Sequence, residues 1–396
     1  SIRRQRQMCI RDRVWMHTQS CSQSRWQLTI FKNSFITMKK FIYLAAAIAA
    51  SSLTFTSCSD DDDMPDVPPV PSTVDGLFVV CNGNYLAGNG SLSYYTPSDN
   101  SVENNVFERA NGMKLGDTAQ SMSIDGETGW ICVNGSNVVY AIDVNTYKVK
   151  GHVTDIASPR NALVVSDHKM YVTALYDNRI AIVDPATYSV TGHIEVPDMD
   201  VATGSTEQMV KVGDYVYVNC WSYQKEILKI DIRNDKVVDR IEVGIQPQSI
   251  AYDRNNNALW VLCDGGGYAT NPIGYEAPSI SRINLGTFKV EDTIGLAQYS
   301  SVSHLRYYNG NLYWLENGVQ RMSTNAAEAP AEAFIPTESY SLYALDINPA
   351  NGDIYVGDAI DWQQAGTVTR YNASGEKIDS FSTGIIPAGF CWKFGK

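Results

Sequence analysis

Between His168 and Asp184 the chain reads HKMYVTALYDNRIAIVD, and its pattern of apolar and polar positions predicts a β-hairpin. Residues 170–174 and 179–183 are rich in β-branched and aromatic side chains, which suit a pleated, packed surface. The polar stretch Leu175-Tyr176-Asp177-Asn178 supplies a turn, and the Asp184-Pro185 step ends the second strand. An isolated hairpin is marginally stable in water, so this one needs neighbours.

The chain supplies them by repetition. An aromatic residue near the start of the first strand of each pair falls at Phe78, Trp130, Tyr171, Tyr217, Trp260, Tyr313 and Tyr355, with successive gaps of 52, 41, 46, 43, 53 and 42 residues. A period near 45 with four strands per unit is the mark of a β-propeller. In the third unit the four strands are expected at 161–166, 170–174, 179–183 and 189–195. Seven landmarks predict seven blades. Strand 77–81 has no inner strand before it, and the closing segment 386–392 (IPAGFCW) has no blade after it. The C-terminal strand is therefore expected to complete the N-terminal blade, giving an all-β, seven-bladed propeller over residues 75–396. A pair of β-sandwiches would leave the uniform period unexplained.

Upstream, residues 1–37 show no amphipathic period and read as spurious translation ahead of the native start; MCIRDR at 8–13 resembles sequencing-adapter read-through. Met38-Lys39-Lys40, a short apolar core at 41–50 and the lipobox-like Phe55-Thr56-Ser57-Cys58 predict a lipoprotein signal peptide over 38–57. It is too short to span a membrane. Lipidation is expected at Cys58, the alternative being an unmodified secreted cysteine. The linker 58–74 begins with Ser59-Asp60-Asp61-Asp62-Asp63, a solvated charge run or an outer-surface targeting tag, and continues into a stiff PDVPPVP spacer at 65–71.

Charge narrows the partners. The whole chain carries 31 basic and 43 acidic residues; from Cys58 onward 22 and 42 remain, a net charge of −20. Such a surface repels phosphate backbones, which argues against nucleic acid, and it offers no polybasic patch for anionic lipid. Of eight cysteines, none forms a CxxC pair, and Cys81, Cys132, Cys220, Cys263 and Cys391 fall in strands, where buried apolar thiols are expected. The five histidines are scattered, so no histidine-based metal site is expected.

In a propeller, the turns between second and third strands share one face with the segments that lead into each inner strand. Those turns are 82–89, 134–137, 175–178, 221–225, 264–278, 316–318 and 358–364, and the lead-ins contribute Gln120, Arg160, Glu207, Gln208, Gln248, Tyr340 and the backbone near Pro387. Aromatic residues cluster in these turns, where burial is least expected: Tyr85, Tyr176, Trp221, Tyr223, Tyr268, Tyr275 and Trp362. With Asn178 and the lead-in residues Gln120, Arg160, Gln208 and Gln248, they are the candidate ligand-binding set. Rigid aromatics beside amides suit a large, neutral, amide-decorated ligand or a partner protein. Catalysis is not expected. Glu207 with Asp200, or Asp358 with Asp361, are the nearest carboxylate pairs, and turn-capping accounts for them. No GxSxG, HExxH or EF-hand loop appears, and Gly265-Gly266-Gly267 precedes no helix that would make it a phosphate cradle.

The segments YVTALYDNRIAIVD (171–184) and YVNCWSYQKEILKID (217–231) resemble the YVTN-type propellers. NGNYLAGNGSLSYY (82–95), GSTEQMV (204–210), NCWSYQ (219–224), GYEAP (274–278), DAIDW (358–362) and GIIPAGFC (384–391) more closely resemble the BtuG-type surface lipoproteins. That resemblance implies capture of cobalamin and related cobamides as a transported ligand, with no covalent cofactor. It also implies lipid anchoring on the extracellular face of the outer membrane, and hand-over to a BtuB-like TonB-dependent transporter. The competing classes are a glycan- or protein-binding propeller without a corrinoid, and a propeller hydrolase or dehydrogenase.

Overall fold

The structure, a computed structural model, describes residues 73–395; the readings of residues 1–72 as upstream translation, signal peptide, lipidation site and linker lie outside them. The described chain forms seven antiparallel four-stranded sheets. Six are consecutive in sequence, at 119–153, 159–195, 206–242, 247–295, 303–336 and 342–385. In the third, the strands Pro159–Ser166, Lys169–Ala174, Arg179–Asp184 and Ser189–Glu195 fall within two residues of their expected bounds. Neighbouring inner strands touch around the whole series, so the sheets close into a seven-bladed β-propeller.

Closure is made by the two ends of the domain. The C-terminal strand Pro387–Phe394 pairs antiparallel with Val74–Cys81, setting Trp392 opposite Leu77, Cys391 opposite Phe78 and Phe390 opposite Val79. It thereby becomes the inner strand of the first blade, as the unpaired sequence segments require.

The period of the landmarks has a physical cause. The apolar core is divided into seven clusters, one at each interface between adjacent blades. Each cluster contains one landmark ring, and none of the seven rings is more than 4% exposed. Phe78 fills the interface between the first and second blades, Trp130 the next, and so on round to Tyr355, which meets Trp392 at the closing interface with ring centroids 5.1 Å apart. A pleated sheet packing on another leaves a gap that one large ring per interface fills at interior density.

The one α-helix among the described residues, Val106–Asn111, links the first blade to the second and buries Val106 and Phe107 in their shared core. Cys81, Cys132, Cys220, Cys263 and Cys391 are free and buried, as expected. Burial pushes the Cys81 thiol up to about 11 and that of Cys132 to about 12, which leaves both protonated and unreactive at neutral pH.

Since the closing pair joins the ends of the domain, a chain ending after Gly384 should lose the cooperative fold as a whole. Circular dichroism melting checks this: a truncated protein with an unchanged cooperative transition would contradict closure.

Candidate functional site

The candidate face is built by one backbone device repeated seven times. Near its start each inner strand carries one extra residue, so its register against the second strand slips. These β-bulges fall at Gln120, Arg160, Glu207, Gln248, His304, Tyr343 and Ala388 or their immediate neighbours. A bulge re-aims a side chain and leaves backbone groups unpaired. Here the preceding blade pairs them. Ser121 Oγ donates to the Arg160 carbonyl at 2.6 Å, Thr173 Oγ1 to that of Glu207 at 2.7 Å, and Asn219 Nδ2 to that of Pro247 at 2.7 Å. The Leu305 N–H donates to Ser249 Oγ at 2.8 Å. Buried polar side chains are tolerated because they meet such groups.

Immediately before the inner strands, Thr118, Ser158, Gln246 and Ile386 adopt left-handed backbone, with φ of 53°, 46°, 55° and 58°. Non-glycine residues hold that conformation only when their surroundings impose it. Four equivalent positions doing so means the lead-ins are set rigidly.

Three bulge residues, in the second to fourth blades, form a side-chain relay. Arg160 Nη1 donates to Gln120 Oε1 at 2.7 Å, and Arg160 Nε donates to Glu207 at 2.8 Å and 3.0 Å. The Arg160 and Glu207 side chains are 13% and 7% exposed, so this ion pair is largely desolvated. Gln208 accepts the Ile250 N–H of the fifth blade at 3.1 Å, and Gln248 accepts the His304 N–H of the sixth at 3.1 Å. These amides brace neighbouring blades as well as facing the mouth.

His304 is the one histidine on the bulge ring. It occupies the bulge of the sixth blade with φ 60°, its Nδ1 is 2.9 Å from Ser303 Oγ, and its ring lies 6.4 Å from that of Tyr343. Burial, and then the charge of Arg306, push its pKa down to about 3 against a weaker opposing pull from the Ala388 carbonyl, so the imidazole is neutral. Glu207 departs from expectation: it is an ion-pair partner of Arg160 and not a turn cap. Asp200, Asp358 and Asp361 do cap local turns, accepting from the N–H groups of Ala202, Ile360, and Gln363 with Gln364.

Five of the seven aromatic candidates gather into three groups. Trp221 Nε1 donates to Asp264 Oδ2 at 2.9 Å, and the hydroxyls of Tyr223 and Tyr268 lie 3.3 Å apart, joining the tips of the fourth and fifth blades. Tyr275 stacks on Tyr299 at 5.9 Å. Trp362 meets Tyr343 edge-on at 5.0 Å, and its carbonyl accepts from Asn84 Nδ2 at 2.5 Å. Tyr85 and Tyr176 are half-buried in their own tips, Tyr176 with φ 61° and its N–H donating to the Gly204 carbonyl. Asn178 binds through its carbonyl to the N–H of Val196, just past the outer strand, which sets it at the rim. Tyr299, His304 and Tyr343 were missed. Aligning the inner strands on their second residue identifies the last two, since they occupy the positions of Gln120, Arg160 and Gln248. Among the described residues no group of three or more His, Cys, Asp or Glu is placed to hold a metal ion.

A family profile described as a domain of unknown function, DUF5074, matches residues 75–390. No curated protein matches the chain. Among solved structures, a quinonprotein alcohol dehydrogenase-like protein from Bacteroides thetaiotaomicron aligns with TM-score 0.59 and 14% identity, covering 81% of this chain and 78% of its own. The β-propeller domain of Cps50 (Swd1) from Myceliophteria thermophila aligns with TM-score 0.56 and 11% identity, over 74% of this chain and 95% of its own. Kuenenia stuttgartiensis hydrazine synthase aligns with TM-score 0.51 and 16% identity, over 69% and 89%. At these identities the likeness is one of fold.

The lowered proton affinity of His304 makes a prediction about acid. The unfolded histidine takes a proton near its ordinary value of 6.5 while the folded one waits until about 3, so stability is lost as pH falls from about 6.5 toward 3. His304→Gln should flatten that limb of melting temperature against pH. A slope equal to that of the wild type would contradict the assignment.

Proposed function

This chain belongs to the DUF5074 family, and we propose that it captures cobalamin or a related cobamide, without bond chemistry, on the tip face of its propeller. The observation that carries the reading is the convergence of rigid aromatic tips with side-chain amides around a braced ring of bulges. A corrin ring has methyl-studded edges, which match Trp221, Tyr223, Tyr268 and Trp362, and a rim of amides, which match Gln120, Arg160, Gln208 and Gln248. Tyr85, Tyr176, Asn178 and Tyr275 extend the same surface outward. The caps and the Arg160–Glu207 pair already engage the carboxylates of this face, which favours binding over acid–base catalysis.

Delivery to a BtuB-like TonB-dependent transporter completes the proposal, with the protein held on the outer face of the outer membrane through Cys58. Leu86, Tyr299, Tyr340 and Ile360 on the same face are 63%, 61%, 90% and 39% exposed. Large exposed apolar residues gathered on one face suit contact with another protein.

Calorimetric titration of the purified protein with cyanocobalamin tests the reading. A saturable one-to-one heat with a raised melting temperature is expected; no heat and an unmoved melt would end the cobamide proposal. Trp221→Ala or Tyr223→Ala should each weaken binding by about 2 kcal/mol, the scale of an aromatic hot spot, while the domain stays folded. Wild-type affinity in both variants would remove the fourth-blade tip from the site.

A further inference from the structure

Both ends of a fully buried side-chain amide on the tip face are bonded at Gln246, a residue outside the candidate binding set. It is 1% exposed and has left-handed backbone with φ 55°. Its Nε2 donates to Asp264 Oδ1 at 3.0 Å, and its Oε1 accepts from Asn271 Nδ2 at 2.8 Å. Its N–H donates to the Gln224 carbonyl at 2.8 Å, and its carbonyl accepts from the Asp264 N–H at 3.0 Å. Asp264 in turn accepts from Trp221 Nε1 at 2.9 Å and from the Gly266 N–H at 2.8 Å. The buried Gln246 amide thus clamps Asp264 and Asn271 within the fifth-blade insertion, 264–278, while its backbone N–H and the Trp221–Asp264 bond join that insertion to the fourth-blade tip, 221–225.

The insertion is ordered by polar and backbone bonds and not by an apolar core of its own. Gly265, Gly266, Gly267 and Gly274 all have positive φ, and between 265 and 277 Asn271 is the only buried residue with a side chain. Fixing backbone has an entropic cost, glycine's larger than most, and here polar bonds must offset it in place of an apolar core. The insertion carries Tyr268 and Tyr275, and Tyr268 meets Tyr223 across the gap. Loss of the amide link therefore loosens Asp264, the acceptor for Trp221, and the insertion that carries Tyr268 to Tyr223.

We propose that Gln246 and Asp264 are positioning residues: they make no contact with the ligand and preassemble Trp221, Tyr223 and Tyr268 for it. The inference deepens the cobamide reading and rests on it for its ligand, though its structural part does not. Ligands bind more tightly to surfaces whose ordering is already complete.

The test uses an exchange of partners. Gln246→Glu sets two carboxylates against each other; adding Asp264→Asn removes that repulsion and restores the 246–264 bond with the roles reversed, while giving up one of the two N–H bonds that Asp264 accepts from Trp221 and Gly266. Cyanocobalamin affinity is measured by calorimetry, and hydrogen exchange across 264–278 is measured without ligand. Gln246→Glu should weaken affinity about tenfold, the scale of one to two lost orienting bonds. It should also speed exchange across 264–278, and the double variant should recover both in part. Asn271→Ala, which introduces no charge, should loosen 264–278 in the same way and serves if Gln246→Glu fails to fold. Unchanged exchange in Gln246→Glu and Asn271→Ala overturns the proposal, as does a melting temperature that falls in step with affinity and is not rescued by the double variant. Absence of cyanocobalamin binding in the wild type would end the cobamide reading alone, since the exchange comparison still decides the positioning role.

Discussion

Pairing of the strand Val74–Cys81 with Pro387–Phe394 joins two segments separated by almost the whole domain. No local propensity brings them together, and bringing distant ends into register has an entropic cost that grows slowly with the length between them. What offsets it is the closing interface: Tyr355 against Trp392, and Tyr95 stacked on Phe381 at 4.0 Å, with Leu77 and Val79 buried beside them. Closing the ring leaves no open inner edge, and it holds the seven bulges around one mouth. An open array of the same blades would have each hairpin but no common mouth.

Given closure, the bulge ring decides which side chains are available for recognition. The extra residue in each inner strand frees backbone groups, and polar residues of the preceding blade, such as Thr173, Asn219 and Ser249, are buried to meet them. Gln208 and Gln248 do part of the same work from above. The mouth is therefore a stiff polar collar, and the aromatic tips stand around it on turns whose strained backbones, at Tyr176, Tyr223 and Trp362, are fixed by their neighbours. Rigidity of this kind favours tight binding of whatever fits, because little is left to order on binding.

The repeat was legible because each blade interface needs one large ring at one depth, so Phe78 through Tyr355 mark the blades with little interference from variable turns. The tips followed from it, since the turns 175–178, 221–225 and 264–278 fall between the strands as read. The bulges were not legible: a one-residue slip depends on the partner strand and leaves no compositional trace. That is why His304 and Tyr343 were passed over while Gln120, Arg160 and Gln248, which look like solvent-facing polar residues, were found. Gln246 and Asn271 escaped for a different reason. Their importance lies in contacts between two tips whose approach no pattern along the chain encodes.

The central claim is that closure and the bulge ring create a recognition surface over the channel mouth, and a crystal structure of the protein with cyanocobalamin tests it most directly. The account predicts the corrin lying over the collar, its edges against Trp221, Tyr268 and Trp362 and its amides toward Gln120 and Arg160. A corrin bound on the opposite face, or against the outer strands with the collar untouched, would contradict it.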